Sequence, residues 1–225
     1  MNVAIIVAAG SGTRFGGARP KQFLEIGGKP LLSHTLEKFE NCAAIDEIIL
    51  VLSTGEIAGF QAVTEKFKPT KLKRIVAGGS TRAESVFNGL KAIDQETAAI
   101  IAVHDGARPF VSGEEITATV EKAKETGAAC LAALVTDTIK EVADGKIVRT
   151  IERATLRRAL TPQAFRFEIL QKAFAGANLS EAATDECYLV ERLGCEIAIV
   201  EGSAKNIKIT TREDWKLAEI LLKED

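Results

Sequence analysis

Cysteine is sparse in this sequence, at 42, 130, 187 and 195 only, and no two form a C-x-x-C pair. That spacing excludes the common zinc and dithiol motifs and fits reduced thiols in a cytoplasmic protein. Charge of one sign is lacking too, since the formal net charge is −2. No overall basic field points to nucleic acid, so an anionic ligand needs a local cluster of cations. No apolar run approaches the ~18–20 residues of a membrane span, which argues against a membrane partner. The opening run Met1-Asn2-Val3-Ala4-Ile5-Ile6-Val7 lacks a positive flank and reaches glycine too soon for a signal peptide. It is expected to be a buried strand. Repeats, low-complexity tracts and Pro/Ser linkers are absent as well. There are two histidines. His104 has no nucleophile spaced to form a triad with it, so a structural role is expected.

What is present is an ordinary globular mixture, 46% apolar and 27% charged over 225 residues. It is enough for a single domain spanning 1–225 with a substantial core. Strand-like runs at Val3–Ala8, Glu47–Leu52, Arg74–Ala77, Ile100–Val103 and Ala129–Leu134 alternate with helix-like segments. Leu31, Leu32, Leu36 and Phe39 share one helical face, as do Val86, Leu90 and Ile93. This alternation predicts an α/β fold: a mostly parallel, Rossmann-like sheet with helices on both faces. Ligands in such folds gather at the carboxyl ends of the strands. One stretch breaks the rhythm. Thr138–Val142 and Lys146–Ile151 flank Ala143-Asp144-Gly145, and Asp-Gly is a strong hairpin-turn signal. A two-stranded ribbon is marginal alone. The region of about 138–152 is therefore expected to project as a β-hairpin arm covered by a second subunit, giving a homodimer. A final helix is expected from about Glu213, where Thr211 and Asp214 resemble a capping box.

The first strand runs into Ala8-Ala9-Gly10-Ser11-Gly12-Thr13-Arg14-Phe15-Gly16-Gly17-Ala18-Arg19-Pro20-Lys21. Its glycines let the backbone curl and approach a ligand closely, and N–H groups in such a curl cradle anions. The spacing is not that of a P-loop. It also departs from the dinucleotide pattern, because Phe15 fills the third glycine position. Arg14, Arg19 and Lys21 add side-chain cations, which favours a nucleoside triphosphate over the less charged dinucleotide. A second constellation, Gly78-Gly79-Ser80-Thr81-Arg82-Ala83-Glu84-Ser85, carries a Thr81/Glu84 capping box, so a helix should begin there. A third, Val103-His104-Asp105-Gly106-Ala107-Arg108-Pro109, closes an apolar strand. It places Asp105 where one carboxylate would suit magnesium or another divalent cation.

The Ala8–Arg14 segment followed by Pro20-Lys21-Gln22-Phe23 resembles the signature loop of nucleotidyltransferases. The Pro-Lys-Gln-Phe ending is similar to that of the 2-C-methyl-D-erythritol 4-phosphate cytidylyltransferase family. Gly-Gly-x-x-Arg-x-x-Ser from Gly78 and His-Asp-Gly-Ala-Arg-Pro from His104 match further family elements, with Gly106 in place of a common alanine. The matches continue to about Thr210. The resemblance implies that Arg14 and Lys21 are catalytic and stabilise charge building on the triphosphate. CTP-binding residues would be Ala8, Ala9, Gly10, Gly12, Gly79, Ser80, Arg82, Ser85 and Asp105, with Asp105 the metal ligand. The acceptor would meet Asp105, Arg108, Thr138, Arg153, Thr161, Thr184 and Lys208. Arg153 and Lys208 would aim its phosphate, and Arg153 would come from the neighbouring subunit.

Without the resemblance several of these residues read plainly. Arg153, Arg157 and Arg158 would form an exposed basic face. Lys208, between Ile207 and Ile209, would be a surface lysine on a strand with one polar face. Asp185 and Glu186 are explained by the dipole of a helix that they open. The implied activity is transfer of CMP from CTP to 2-C-methyl-D-erythritol 4-phosphate, with no general base required because phosphates are already ionised. Ribitol 5-phosphate as acceptor, a dinucleotide-dependent oxidoreductase and a non-catalytic nucleotide-binding protein are the alternatives weighed.

Overall fold

The computed structural model describes residues 1–10, 15, 20–179 and 185–224. The elements along the chain are β1 (Asn2–Ala8), β2 (Glu25–Ile26), β3 (Lys29–Pro30), α1 (Leu31–Glu40), β4 (Glu47–Leu52) and α2 (Ile57–Phe67). Next come β5 (Leu72–Ala77), α3 (Arg82–Lys91), β6 (Ile100–Asp105), α4 (Gly113–Thr126) and β7 (Ala128–Leu134). Then follow β8 (Ile139–Ala143), β9 (Lys146–Ile151), β10 (Arg157–Arg166), α5 (Phe167–Ala175), α6 (Glu186–Glu191), β11 (Ala198–Glu201) and α7 (Arg212–Leu221).

Seven strands form one sheet in the order β11-β7-β10-β6-β1-β4-β5. β1 pairs in parallel with both β4 and β6, β4 with β5, and β7 with β11. β10 alone runs antiparallel, to β6 and to β7. The chain moves from β1 outward through β4 and β5, then returns to the other side of β1 for β6. That reversal is the topological switch where ligands of open α/β sheets bind.

Alternation along each strand divides the core into two layers. Ala4, Ile6, Ile48, Leu50, Ile100 and Ala102 face α1, α2 and α4 through Leu36, Phe39, Phe60 and Val120. Val3, Ile5, Ile49, Val51, Ile101 and Val103 face α3, α5 and α6 through Val86, Leu90, Leu170 and Val190. Strands buried on both faces explain the near-continuous apolar runs. Truncating Ile5, fully buried here, should cost about 2–5 kcal/mol. Among the described residues three helices start on capping boxes: Thr81 with Glu84, Ser112 with Glu115 and Thr211 with Asp214.

Two local expectations need correcting. The expected strands omit β11 and β10, although both lie within the sheet, and β10 is the better hidden. Its start is basic and Pro162 interrupts it. The ladder to β7 breaks between Ala159 and Gln163, which is where a residue lacking an N–H can be accommodated. Conversely, the segment 206–210 was expected to be a strand and joins no sheet. It is pinned by individual bonds instead: the Asn206 amide donates to the Thr161 carbonyl at 2.9 Å, and the Ile209 N–H donates to the Ala107 carbonyl at 2.9 Å.

β8 and β9 form a separate two-stranded sheet. Asp144 and Gly145 turn it with φ of 49° and 73°, the left-handed geometry that Asp-Gly tolerates. Val142, Ile147 and Val148 on it are exposed by 58%, 65% and 57%. Among the described residues, no helix is long and apolar enough to cross a membrane.

Candidate active site

The carboxyl ends of β1, β5 and β6 surround a cleft of about 430 Å³, a volume suited to a small-molecule ligand. Its first wall is the end of β1. Ala8, Ala9 and Gly10 line the cleft, and so does Lys21 where the glycine-rich loop returns. Gln22 holds that return in place. Its amide, almost fully buried, donates to the carbonyl oxygens of Ala8 at 2.8 Å and Gly10 at 2.9 Å. Phe15, the described residue within the loop, packs its ring 5.5 Å from that of Trp215 on α7.

The second wall is the turn from β5 into α3. Gly78 donates to the Leu52 carbonyl at 2.7 Å, and a Cβ added at Gly78 would lie 2.4 Å from that of Ala9. Only glycine lets the two walls approach so closely. The Gly79 N–H donates to Ser85 Oγ at 3.1 Å, and that hydroxyl donates to the Thr81 carbonyl at 2.9 Å. Ser80 donates through both its N–H and its hydroxyl to Glu84 Oε2. The Ser80 hydroxyl and N–H hold the Glu84 carboxyl below its ordinary value. The turn is thus built by its own hydrogen bonds before any ligand arrives.

The floor is an ion cluster centred on Asp105 at the end of β6. Arg82 Nε lies 3.2 Å from its Oδ1, while Arg108 Nε at 3.2 Å and Lys208 Nζ at 3.0 Å meet its Oδ2. Arg82 Nη1 also pairs with Glu186 Oε1 at 2.6 Å. Burial alone would raise the Asp105 pKa, but Arg82, Lys208 and Arg108 outweigh it and hold the carboxyl well below the usual range. Burial opposes the charge on Arg82, yet Glu186 and Asp105 overcome it and raise its pKa. Burial pushes the Glu186 carboxyl up, against the pull of Arg82. Three cations therefore face two carboxylates. The floor carries excess positive charge before Lys21 is counted, an arrangement that favours a polyanion.

The structure brings together Ala8, Ala9, Gly10, Lys21, Gly79, Ser80, Arg82, Ser85, Asp105 and Lys208 around one cleft. Arg108 stands beside them, bound to Asp105 and, at 2.8 Å, to the Asn206 carbonyl. Thr161 is buried on β10 with its hydroxyl already engaged by the Asp105 N–H at 3.2 Å and His104 Nδ1 at 3.0 Å. Its place is beneath Asp105 and not on the cleft wall. Thr138 and Arg153 lie at the base of the arm outside the cleft, where Arg153 Nη1 donates to the Thr136 carbonyl at 2.5 Å. Gly12, Arg14 and Thr184 lie outside the described residues. His104 is structural, fully buried against Phe39 and bound to the Arg108 carbonyl at 3.0 Å.

Several functional groups were not legible as such. The Pro-Lys-Gln-Phe motif drew attention to Lys21, yet its glutamine is the clamp that positions the lysine. Gly106 stands where the family commonly has alanine, and the packing gives it a reason. A Cβ there would lie 2.8 Å from that of Ala8, so an alanine would press on the β1 wall. Glu186 was explained by a helix dipole, but an exposed carboxylate serves a dipole equally well. Its burial and its pairing with Arg82 demand another reason.

The residues fit a divalent cation of one kind only. Among the described residues no group of three or more His, Cys, Asp or Glu forms a metal cage. Asp105 offers a single hard carboxylate, and among the described residues its Oδ1 accepts from Arg82 alone. A carboxylate has about four acceptor directions. One therefore remains for a magnesium ion that takes its other ligands from phosphate and water.

The sequence matches the profile of the family described as 2-C-methyl-D-erythritol 4-phosphate cytidylyltransferase across residues 2–224. A protein of that name from Bacillus licheniformis is 45% identical over 224 residues, covering 99% of this chain and 96% of its own. Another from Halalkalibacterium halodurans is 43% identical, covering 98% and 96%. Among solved structures, a 4-diphosphocytidyl-2C-methyl-D-erythritol synthase from Anaerococcus prevotii superposes with a TM-score of 0.87 at 33% identity, covering 99% of this chain and 96% of its own.

Proposed function

We infer that this chain, which belongs to the 2-C-methyl-D-erythritol 4-phosphate cytidylyltransferase family, transfers CMP from CTP to 2-C-methyl-D-erythritol 4-phosphate. The products are 4-diphosphocytidyl-2-C-methyl-D-erythritol and pyrophosphate, and the reaction serves isoprenoid precursor synthesis. The observation that carries the assignment to this cleft is the convergence of Arg82, Arg108 and Lys208 on Asp105, in a cleft that Lys21 also lines, beside the close-packed turn at Gly78.

An oxygen of the acceptor phosphate attacks the α-phosphorus of CTP. The new P–O bond forms in line with the bond to the bridging oxygen that breaks, and pyrophosphate carries that electron pair away. Both phosphates are ionised near neutral pH, so no side chain need remove a proton. Catalysis rests on positioning and on charge stabilisation. Arg14 and Lys21 stabilise the charge developing on the departing pyrophosphate. Lys208, with Arg108 and Asp105 next to it, receives the acceptor. Asp105 would hold the divalent cation, which when bound supplies further neutralisation of the triphosphate.

The turn from Gly78 to Ser85 reads the base. Its main-chain carbonyls and the remaining lone pair of the Ser85 hydroxyl suit the amino group of cytosine, and a base with a carbonyl at that position leaves buried groups unpaired. Thr138, Arg153 and Thr184 complete the acceptor subsite. Arg153 is supplied by the other subunit of a homodimer joined through the arms. Thr161 supports that subsite from below, through Asp105. The enzyme works in the cytoplasm with its thiols reduced.

The test is pyrophosphate release from CTP and magnesium, with 2-C-methylerythritol 4-phosphate and ribitol 5-phosphate offered separately. Release with the first acceptor only is expected. Release with ribitol 5-phosphate only would keep the site and overturn the acceptor. Silence with both, in folded protein that binds CTP, would leave a non-catalytic nucleotide-binding protein.

A further inference from the structure

We propose that Glu186 is a positioning residue for this reaction: it holds the guanidinium of Arg82 in register with Asp105 and acts on turnover only through Arg82. The inference rests on cytidylyl transfer being the activity of the cleft.

Glu186 is 1% exposed and is not part of the cleft wall, whereas Arg82 is. A carboxylate taken out of water persists only when paired and hydrogen-bonded. Its Oε1 meets Arg82 Nη1 at 2.6 Å, and its Oε2 has no hydrogen-bond partner among the described residues. Arg82 is the one cation that the ion pairs assign to it among the described residues.

The carboxylate is itself held from behind. The Glu186 N–H donates to Gln163 Oε1 at 3.2 Å, and Gln163 Nε2 donates to Asp185 Oδ2 at 2.8 Å. Gln163 on β10 therefore fixes the start of α6, and α6 fixes the anion. Arg82, by contrast, stands on the first turn of α3 with a long and rotamer-rich side chain. Its fork is spanned by Asp105 on one side and Glu186 on the other. Removing Glu186 leaves Asp105 as the one anion paired with Arg82 among the described residues. The guanidinium then closes on a carboxylate that Arg108 and Lys208 already share, and Asp105 is less available to substrate. Misplacing such a group by about 1 Å costs about 10²-fold in rate.

The experiment is a double-mutant cycle of R82Q, E186Q and R82Q/E186Q. It is read in kcat and in KM for CTP by pyrophosphate release, with thermal melts run in parallel. E186Q is expected to lower kcat about 10²-fold with a smaller change in KM, and the double variant to be no slower than the slower single one. If the two losses multiply, Glu186 acts independently of Arg82 and the proposal fails. It also fails if folded E186Q turns over like the wild type. Should E186Q not fold because Arg82 is left with half of its pairing, the double variant, which removes that cation as well, is compared directly with R82Q. Equal turnover supports the proposal and slower turnover overturns it. Where R82Q is too slow to measure, CTP affinity by calorimetry is compared in the same way. A silent wild type would overturn the assigned activity and this inference with it. An active wild type with multiplying losses overturns this inference alone.

Discussion

Thr161 on β10 places its hydroxyl 3.2 Å from the main-chain nitrogen of Asp105 on β6. The same hydroxyl lies 3.0 Å from His104 Nδ1, and His104 Nε2 lies 3.0 Å from the Arg108 carbonyl. A carbonyl can only accept, so Nε2 carries the proton. Nδ1 then accepts from Thr161, which in turn accepts from the Asp105 N–H. The antiparallel strand thus fixes the backbone of the residue at the centre of the ion cluster.

Replacing Thr161 by valine keeps the shape and removes the hydroxyl. The Asp105 N–H and His104 Nδ1 are then buried without partners, at a cost of about 1–3 kcal/mol each. Thr161→Val is expected to lower the melting temperature and kcat together, and Thr161→Ser to restore most of both. Equal kcat in wild type and folded Thr161→Val would detach Asp105 from this support.

Acid should weaken the fold earlier than carboxylate titration allows. Burial lowers the His104 pKa from 6.5 to about 4, against the hydrogen bond to the Arg108 carbonyl. His34 is lowered in the same direction, by burial first. As pH falls through 6.5 the unfolded chain takes up protons that the folded chain refuses. Stability is therefore complete above 6.5 and is lost progressively down to about 4. For His104 the loss approaches roughly 3 kcal/mol. The Asp105 contribution disappears only at lower pH, because its folded pKa lies below the ordinary value of 3.8. Melting temperatures measured from pH 7.5 to 4.5 should fall more steeply for the wild type than for His104→Asn. Parallel curves would place the acid sensitivity elsewhere.

The contrast between β1 and β10 explains what the sequence made legible. β1 is buried on both faces by neighbours close in the fold, so its apolar run identifies it. β10 derives its place from pairing with β6 and β7, and its basic start and Pro162 conceal that. Sites follow the same division. Lys21 and Asp105 stand in contiguous motifs at strand ends and were legible. Glu186 meets a partner 104 residues away, and nothing local to Thr184-Asp185-Glu186 announces it. Lys208 was legible through the family element, but its segment was not, because scattered individual bonds replace a strand ladder.

Lys21 should matter more to the transition state than to CTP binding. Pro20 and the Gln22 clamp fix the backbone on either side of it, and the residue lines the cleft. Charge on the departing pyrophosphate grows only as the bond breaks. Lys21→Ala is therefore expected to lower kcat by about 10²–10³-fold, roughly 3–4 kcal/mol, with a smaller rise in KM for CTP. An unchanged kcat with a raised KM would make Lys21 a binding residue only.

The arm offers the test of subunit sharing. Val142, Ile147 and Val148 are exposed on a ribbon with no core of its own, and such a ribbon is marginal without a partner surface. Ile147→Asp/Val148→Asp should convert a dimer into monomers in sedimentation at micromolar concentration. Turnover should fall with it, because Arg153 sits at the base of the arm and outside its own cleft. A second experiment separates loss of the dimer from loss of Arg153. Lys21→Ala and Arg153→Ala proteins, each impaired alone, are mixed and allowed to exchange subunits. Random pairing makes half of the dimers mixed. If Arg153 acts across the interface, each mixed dimer combines both defects in one site and leaves the other intact, which restores about one quarter of wild-type activity. If Arg153 served its own subunit, every site would carry one defect and mixing would restore nothing, provided exchange is shown by mass-tagged subunits.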